Sequence, residues 1–355
     1  MGPPLPSWEP AARALLAEAS RRVTLLGWLT PDNLAGELHE LCLDWGRGNE
    51  RSPRFHYRPV RVGDDLQPRL ETAAEHWSDR GALGELYAGR ARELLLEIAL
   101  GTSTERADFV RVAQRRFRRR DRFDDEADDL SRAWLAQPPP TRPPSIVRSD
   151  DASDPRSLLR RLRTEVEREG LAVEVRPAVG LAALAATGQH VIYVVSNRQL
   201  AESDVTRTVL HELHGHALPR ARGAQARLGL FEVGTAHGGD DQEGRALALE
   251  DDAGLLDGCR RLELGLRHAA ARSVEAGAPF VDTARVLAHY RISLFDRLRI
   301  ASRAHRGGGL ARERVYLPAY LRVLAARATD PTVDEMLARG PVAVEAAARL
   351  RDWAD

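Results

Sequence analysis

The chain contains no lysine, so all 52 of its basic residues are arginine. Chemistry that runs through a Schiff base or a lysine general base is therefore excluded. Cysteine is nearly absent as well: Cys42 and Cys259 lie far apart and offer neither a disulfide framework nor a thiolate metal site. A cytoplasmic location is the expectation that follows. No apolar run approaches the roughly 20 residues of a membrane span. Residues 1–10 lack the basic head and apolar centre of a signal peptide. Net charge is missing too, because 52 arginines balance 52 acidic residues, and that balance argues against a general nucleic-acid binder.

What remains is the composition of a soluble globular protein, 43% hydrophobic and 29% charged. Its 355 residues can bury one large core or two modest ones. The abundance of arginine and alanine points to a G+C-rich, bacterial genome.

Spacing divides the chain in three. Residues 1–136 read as a helical region, with helices over 10–26, 31–45 and 81–117, the last carrying Leu83, Leu86, Tyr87, Leu94 and Ile98 on one face. An arginine block at 115–120 is followed within four residues by Asp124-Asp125-Glu126, the pattern of a solvated, self-compensating helix end. Residues 137–150 are proline-rich and read as a linker. Residues 151–355 form the expected core: a helix over 154–169, strands over 171–176 and 190–195, and helices from Ser203, over 242–268, 282–304 and 311–329. The fold class is thus α+β and mostly helical, with a small sheet beside the helix that starts near Ser203.

That helix carries the chemistry. His211-Glu212-Leu213-His214-Gly215-His216 puts three imidazoles and a carboxylate into six residues. Neutral imidazole and carboxylate suit Zn2+, and a His-Glu pair on a helix offers a ligand beside a base. The spacing leaves two pairings open. His211 and His214, at i and i+3, are close in projection. His211 and His216 would sit about 140° apart on an ideal helix, and they meet only if the helix makes a π-type turn. Gly215 and Pro219 supply the freedom and the stop that such a turn needs. Glu243 is the best third donor, with Gly244 beside it allowing close approach. Asp240 and Asp241 could cap their helix, and Glu250 could orient a histidine.

On Leu210 to His216, Gln242-Glu243-Gly244-Arg245-Ala246, and Arg306-Gly307-Gly308-Gly309-Leu310 with Val315-Tyr316-Leu317, the chain resembles a family of HExxxH metallopeptidases. That family includes the microtubule-associated tyrosine carboxypeptidases and bacterial flavohemoglobin expression-modulating proteins with a QEGLA motif. A looser likeness covers residues 33–57 and 81–109. The resemblance implies a zincin-like metallopeptidase core, with zinc held by His211, His216 and Glu243, and Glu212 as base toward a zinc-bound water. Three positions depart from the pattern: His214 for a small residue, Arg245 for the leucine of QEGLA, and Arg312 for lysine.

A carboxypeptidase also needs an oxyanion donor and a cation for the free C-terminus. Tyr316, Tyr320, His305 and Tyr290 are candidates for the first role, with Tyr316 preferred; Arg303, Arg306 and Arg314 are candidates for the second. Tyr320 is also expected among the substrate-binding residues. His237 and His289 read as surface or core histidines. The expected function is a zinc-dependent carboxypeptidase acting on an exposed peptide or protein tail. The alternative is a metal-binding regulatory or scaffold protein with a non-catalytic zinc.

Overall fold

Helices make up most of the molecule, as the helical spacing of its leucines and alanines requires, in a computed structural model that describes residues 3–119, 121–141, 143–181 and 183–354. Arg120, the end of the arginine block, and Arg142 in the proline-rich run lie outside the described residues. Small sheets complete an α+β protein. No helix among the described residues is long and apolar enough to cross a membrane.

The chain divides into two compact units, neither continuous in sequence. The first comprises Met1–Pro10, Pro140–Arg260 and Ala319–Asp355; the second comprises Ala11–Pro139 and Arg261–Pro318. The chain changes unit inside the proline-rich run, where no helix or ladder can continue. It also changes at residues 10–11, 260–261 and 318–319.

In the first unit, β1 (Val147–Arg148) pairs antiparallel with β5 (Gln199–Leu200). A three-stranded sheet has the order β2 (Glu174–Ala178), β4 (Val191–Val195), β3 (Ala185–Thr187). β2 and β4 run parallel with Val175 opposite Ile192, while β3 and β4 are antiparallel with Thr187 opposite Ile192. The helix Leu158–Arg168 is capped by Ser157, whose hydroxyl accepts from the Arg160 amide. Its Leu158, Leu159, Leu162 and Val166 bury against Val175, Ile192 and Val194 of the sheet. The same cluster takes in Val205, Val209, Leu213 and Ala217, a stripe at four-residue spacing along one side of the histidine-bearing helix. Truncating a leucine here to alanine costs about 2–5 kcal/mol. That apolar side holds the helix on the sheet and turns its other side inward to the next helix.

The second unit has cores of its own. One gathers Leu38, Leu41 and Trp45 with Phe280, Leu287, Leu298 and Ile300. Another sets Leu29, Leu100, Phe109 and Phe117 with Leu310 and Val315.

Several sequence expectations need correction. The stretch 242–268 is two helices, Gly238–Asp252 and Gly258–Glu275, parted at Gly254, whose positive φ ends the first. The stretch 282–304 is likewise two, Phe280–Leu287 and Leu294–His305. Ser203 is not an N-cap: the helix starts at Glu202 after Ala201 and has no side-chain cap. The block at 115–120 is not simply solvated. Arg116 is buried and pairs with Glu93 and Glu97, and Asp124 is buried against Arg314.

Candidate metal centre

Helix Glu202–Leu210 runs directly into a π-helical segment, His211–Ala217, and then into helix Leu218–Gln225. The Leu218 amide donates to the Leu213 carbonyl, five residues back. This wider turn brings residues i and i+5 onto one side, so His211 and His216 face each other with Nε2 to Nε2 at 3.3 Å. Their rings meet edge to face, 5.0 Å between centroids.

Glu243 comes from helix Gly238–Asp252. Its Oε2 lies 3.4 Å from His211 Nε2 and 3.7 Å from His216 Nε2. Gly215 makes the approach possible: a Cβ there would lie 2.6 Å from Ala246 Cβ, so the two helices touch where a larger residue would wedge them apart. On another side of the Glu243 helix, a Cβ at Gly244 would lie 2.4 Å from the Ala319 backbone. The three donor atoms all lie within 4.8 Å of one another, and His214 is not in the group. A tetrahedral zinc about 2.0–2.2 Å from each donor would space them roughly 3.3–3.6 Å apart, close to the spacings found, so the donor set fits such an ion.

The far side of each imidazole is also held. His211 Nδ1 lies 2.7 Å from Glu250 Oε1. Glu250 is fully buried and receives two further bonds from Arg260, Nε to Oε2 at 2.9 Å and Nη2 to Oε1 at 3.0 Å. Burial pushes the Glu250 carboxyl up, but Arg260 and His211 outweigh it and bring it down to about 2. An ionised carboxylate can only accept, so Nδ1 of His211 carries a proton and Nε2 is the nitrogen that faces His216 and Glu243. His216 Nδ1 is paired in the same way with Gln242 Oε1 at 3.2 Å.

Burial alone would lower the pKa of His211. The carboxylates of Glu243, Glu250 and Glu212 overcome it and raise it to about 10. A field that stabilises a proton this strongly favours any cation at the same place. His214 behaves oppositely, since burial lowers its pKa.

Glu212, buried beside the two histidines in the same turn, accepts a 2.6 Å hydrogen bond on Oε2 from Thr187 of the edge strand β3. Sequence reasoning missed Thr187, because a three-residue strand leaves almost no periodic signal. It also missed Arg260 and the role of Gln242.

The remaining candidates fall as follows. Tyr320, in the first unit, donates to Asp251 Oδ2 at 2.8 Å. Asp241 does not cap its own helix. It accepts from Arg322 at 2.8 Å and from the Val344 amide, the start of helix Val344–Leu350. Tyr316, Arg303, Arg306 and Arg314 belong to the second unit. Tyr316 accepts from Arg312 Nη1 at 3.0 Å, and the Arg267 guanidinium lies 4.2 Å above its ring. Arg303 is buried and bonds Glu313 twice, at 3.1 and 2.9 Å. Arg314 is buried among Asp124, Asp128 and Glu275. Arg306 is buried as well, but its Nε donates to the Arg303 carbonyl, and among the described residues it has no carboxylate in an ion pair. Burial, with Arg303 and Arg312 nearby, lowers its pKa to about 10. Of the other oxyanion candidates, His305 bonds Thr283 and is half-buried against Phe280, and Tyr290 packs at the edge of the second unit's core.

An α+β protein with a partly buried cluster of two imidazoles and a carboxylate, backed by acceptors on both rings, is the class this geometry defines. The chain belongs to the microtubule-associated tyrosine carboxypeptidase family, whose model matches residues 46–354. That membership places it among carboxypeptidases. No curated protein matches the chain.

Proposed function

We propose that the protein is a zinc-dependent carboxypeptidase with a zincin-like core, acting on an exposed peptide or protein C-terminus. The observation that carries this reading is the His211, His216 and Glu243 donor set, whose spacings of 3.3, 3.4 and 3.7 Å suit a tetrahedral ion. Zinc bound there would supply a Lewis acid that polarises a carbonyl and lowers the pKa of water.

The protein's own groups do the rest. Glu250 and Gln242 fix both imidazoles with Nε2 inward. Thr187 holds Oε2 of Glu212 and so sets the rotamer of that carboxylate. In the reaction Glu212 takes a proton from the attacking water and delivers it to the leaving amine. The family's description suggests a C-terminal tyrosine as the residue removed.

The test combines metal analysis of purified protein with a screen of peptides varied at the C-terminus. About one zinc per chain is expected, and Glu212→Gln should keep the metal while losing cleavage by a factor of at least ~100. Metal-loaded protein that cuts no peptide would instead favour a metal-binding regulatory or scaffold role.

A further inference from the structure

The π-turn leaves one backbone acceptor without an intrahelical donor. Leu218 bonds back to Leu213, so the next donor in that register, for the His214 carbonyl, would be residue 219. Residue 219 is proline and has no N–H. The His214 carbonyl instead accepts a 2.8 Å hydrogen bond from Arg245 Nη1, a side chain on the neighbouring helix Gly238–Asp252. Arg245 is 6% exposed. Its other nitrogens grip Asp334 on both oxygens, Nε to Oδ1 and Nη2 to Oδ2, each at 3.2 Å. Asp334 is fixed in turn by Arg327 at 3.0 Å, and Arg327 also reaches Asp252 at 2.8 Å.

We propose that Arg245 is a positioning residue: its guanidinium gives the His214 carbonyl the bond that Pro219 denies it, and so holds the helix in the wide turn that sets His216 opposite His211. The clamp sits two residues beyond Glu243 on the same helix, so one side chain ties together the two segments that carry all three donors. Where the resembling family has leucine, this chain carries an arginine whose planar fork can bond a carbonyl and a carboxylate at once. Proline at 219 and arginine at 245 are then a matched pair. An alanine at 219 would bring back the N–H and make the arginine dispensable.

The part of this inference that concerns metal rests on the zinc reading above; the clamp itself does not. The experiment is a double-mutant cycle of Arg245→Leu and Pro219→Ala on the full chain, read twice. The first readout is zinc affinity by competition with a chelator. The second is deuterium uptake of peptides spanning residues 211–218 in chelator-treated, metal-free protein. Arg245→Leu is expected to weaken zinc binding about tenfold and to speed exchange across the turn by a similar factor. Pro219→Ala alone should change little, and added to Arg245→Leu it should recover most of both losses. Unchanged exchange in Arg245→Leu, or a loss that Pro219→Ala leaves untouched, overturns the proposal. Should Arg245→Leu fail to fold, Arg245→Gln carries the same cycle. If the wild-type protein binds no zinc, the metal reading fails and the exchange readout still decides the clamp.

Discussion

Glu250 meets Nδ1 of His211 at 2.7 Å while holding Arg260 with both oxygens, so a fully buried carboxylate sits between a candidate ligand and a fixed cation. Removing its charge leaves the shape and takes away the strongest acceptor for Nδ1–H. It also leaves Arg260 buried without its counter-ion. Glu250→Gln is expected to lower zinc affinity by about 10–100-fold, measured by chelator competition. An unchanged affinity would show that the Glu250 contact does not orient His211.

The two spacings open in the sequence make opposite predictions for the neighbouring histidines. His216 faces His211 and Glu243, whereas His214 stands outside that group and offers its backbone carbonyl to Arg245. His216→Ala should release zinc, and His214→Ala should keep it at close to one ion per chain, by metal analysis after dialysis. The backbone bond from Arg245 survives in His214→Ala, so stability should change by no more than about 0.5–1 kcal/mol. Retention of the metal in His216→Ala would refute the i+5 arrangement.

Local signals reach some of this and miss the rest. The stripe Val205, Val209, Leu213, Ala217 announces a buried helix, and a five-residue step from His211 to His216 requires a wider turn if the two are to meet; the chain forms one. Gly215 and Gly244 announce close approach, although the atoms they admit, Ala246 and the Ala319 backbone, could not be named in advance. Breaks inside helical patterns are harder. Gly254 parts two helices because its φ is positive, and an apolar spacing that continues on both sides conceals it. Least legible are roles set by distant partners. Arg245 is a departure from a motif until Asp334, 89 residues on, is seen to hold it. Arg303 and Arg314 look like free cations until Glu313 and Asp124 are found beside them.

His305 makes a prediction about pH. Burial against Phe280 lowers its pKa to about 4, and its Nε2 lies 2.8 Å from the Thr283 hydroxyl. The unfolded chain binds the proton near the ordinary value of about 6.5, so as pH falls from 6.5 toward 4 the unfolded state gains protons first. Stability is therefore retained above about pH 6.5 and lost between 6.5 and 4, by up to about 3 kcal/mol from this group. Urea unfolding at pH 7 and pH 4.5 should show a smaller drop in His305→Gln than in the wild type. Equal drops would mean that His305 is not held neutral.

Arg303 and Arg306, three residues apart and both buried, should respond to substitution in opposite ways. Arg303 bonds Glu313 twice, and Glu313, which also holds Arg267, is 1% exposed. Burial alone would raise the Glu313 carboxyl, but Arg267 and Arg303 hold it well below the usual carboxylate range. Arg303→Leu strips one of these partners from a buried charge and should cost about 3–5 kcal/mol of stability. Arg306 has no such carboxylate among the described residues, and its lowered pKa reflects a cation that its surroundings do not stabilise. Arg306→Leu should therefore leave the melting temperature unchanged or raise it. A fall in melting temperature in Arg306→Leu would make Arg306 a structural cation like Arg303.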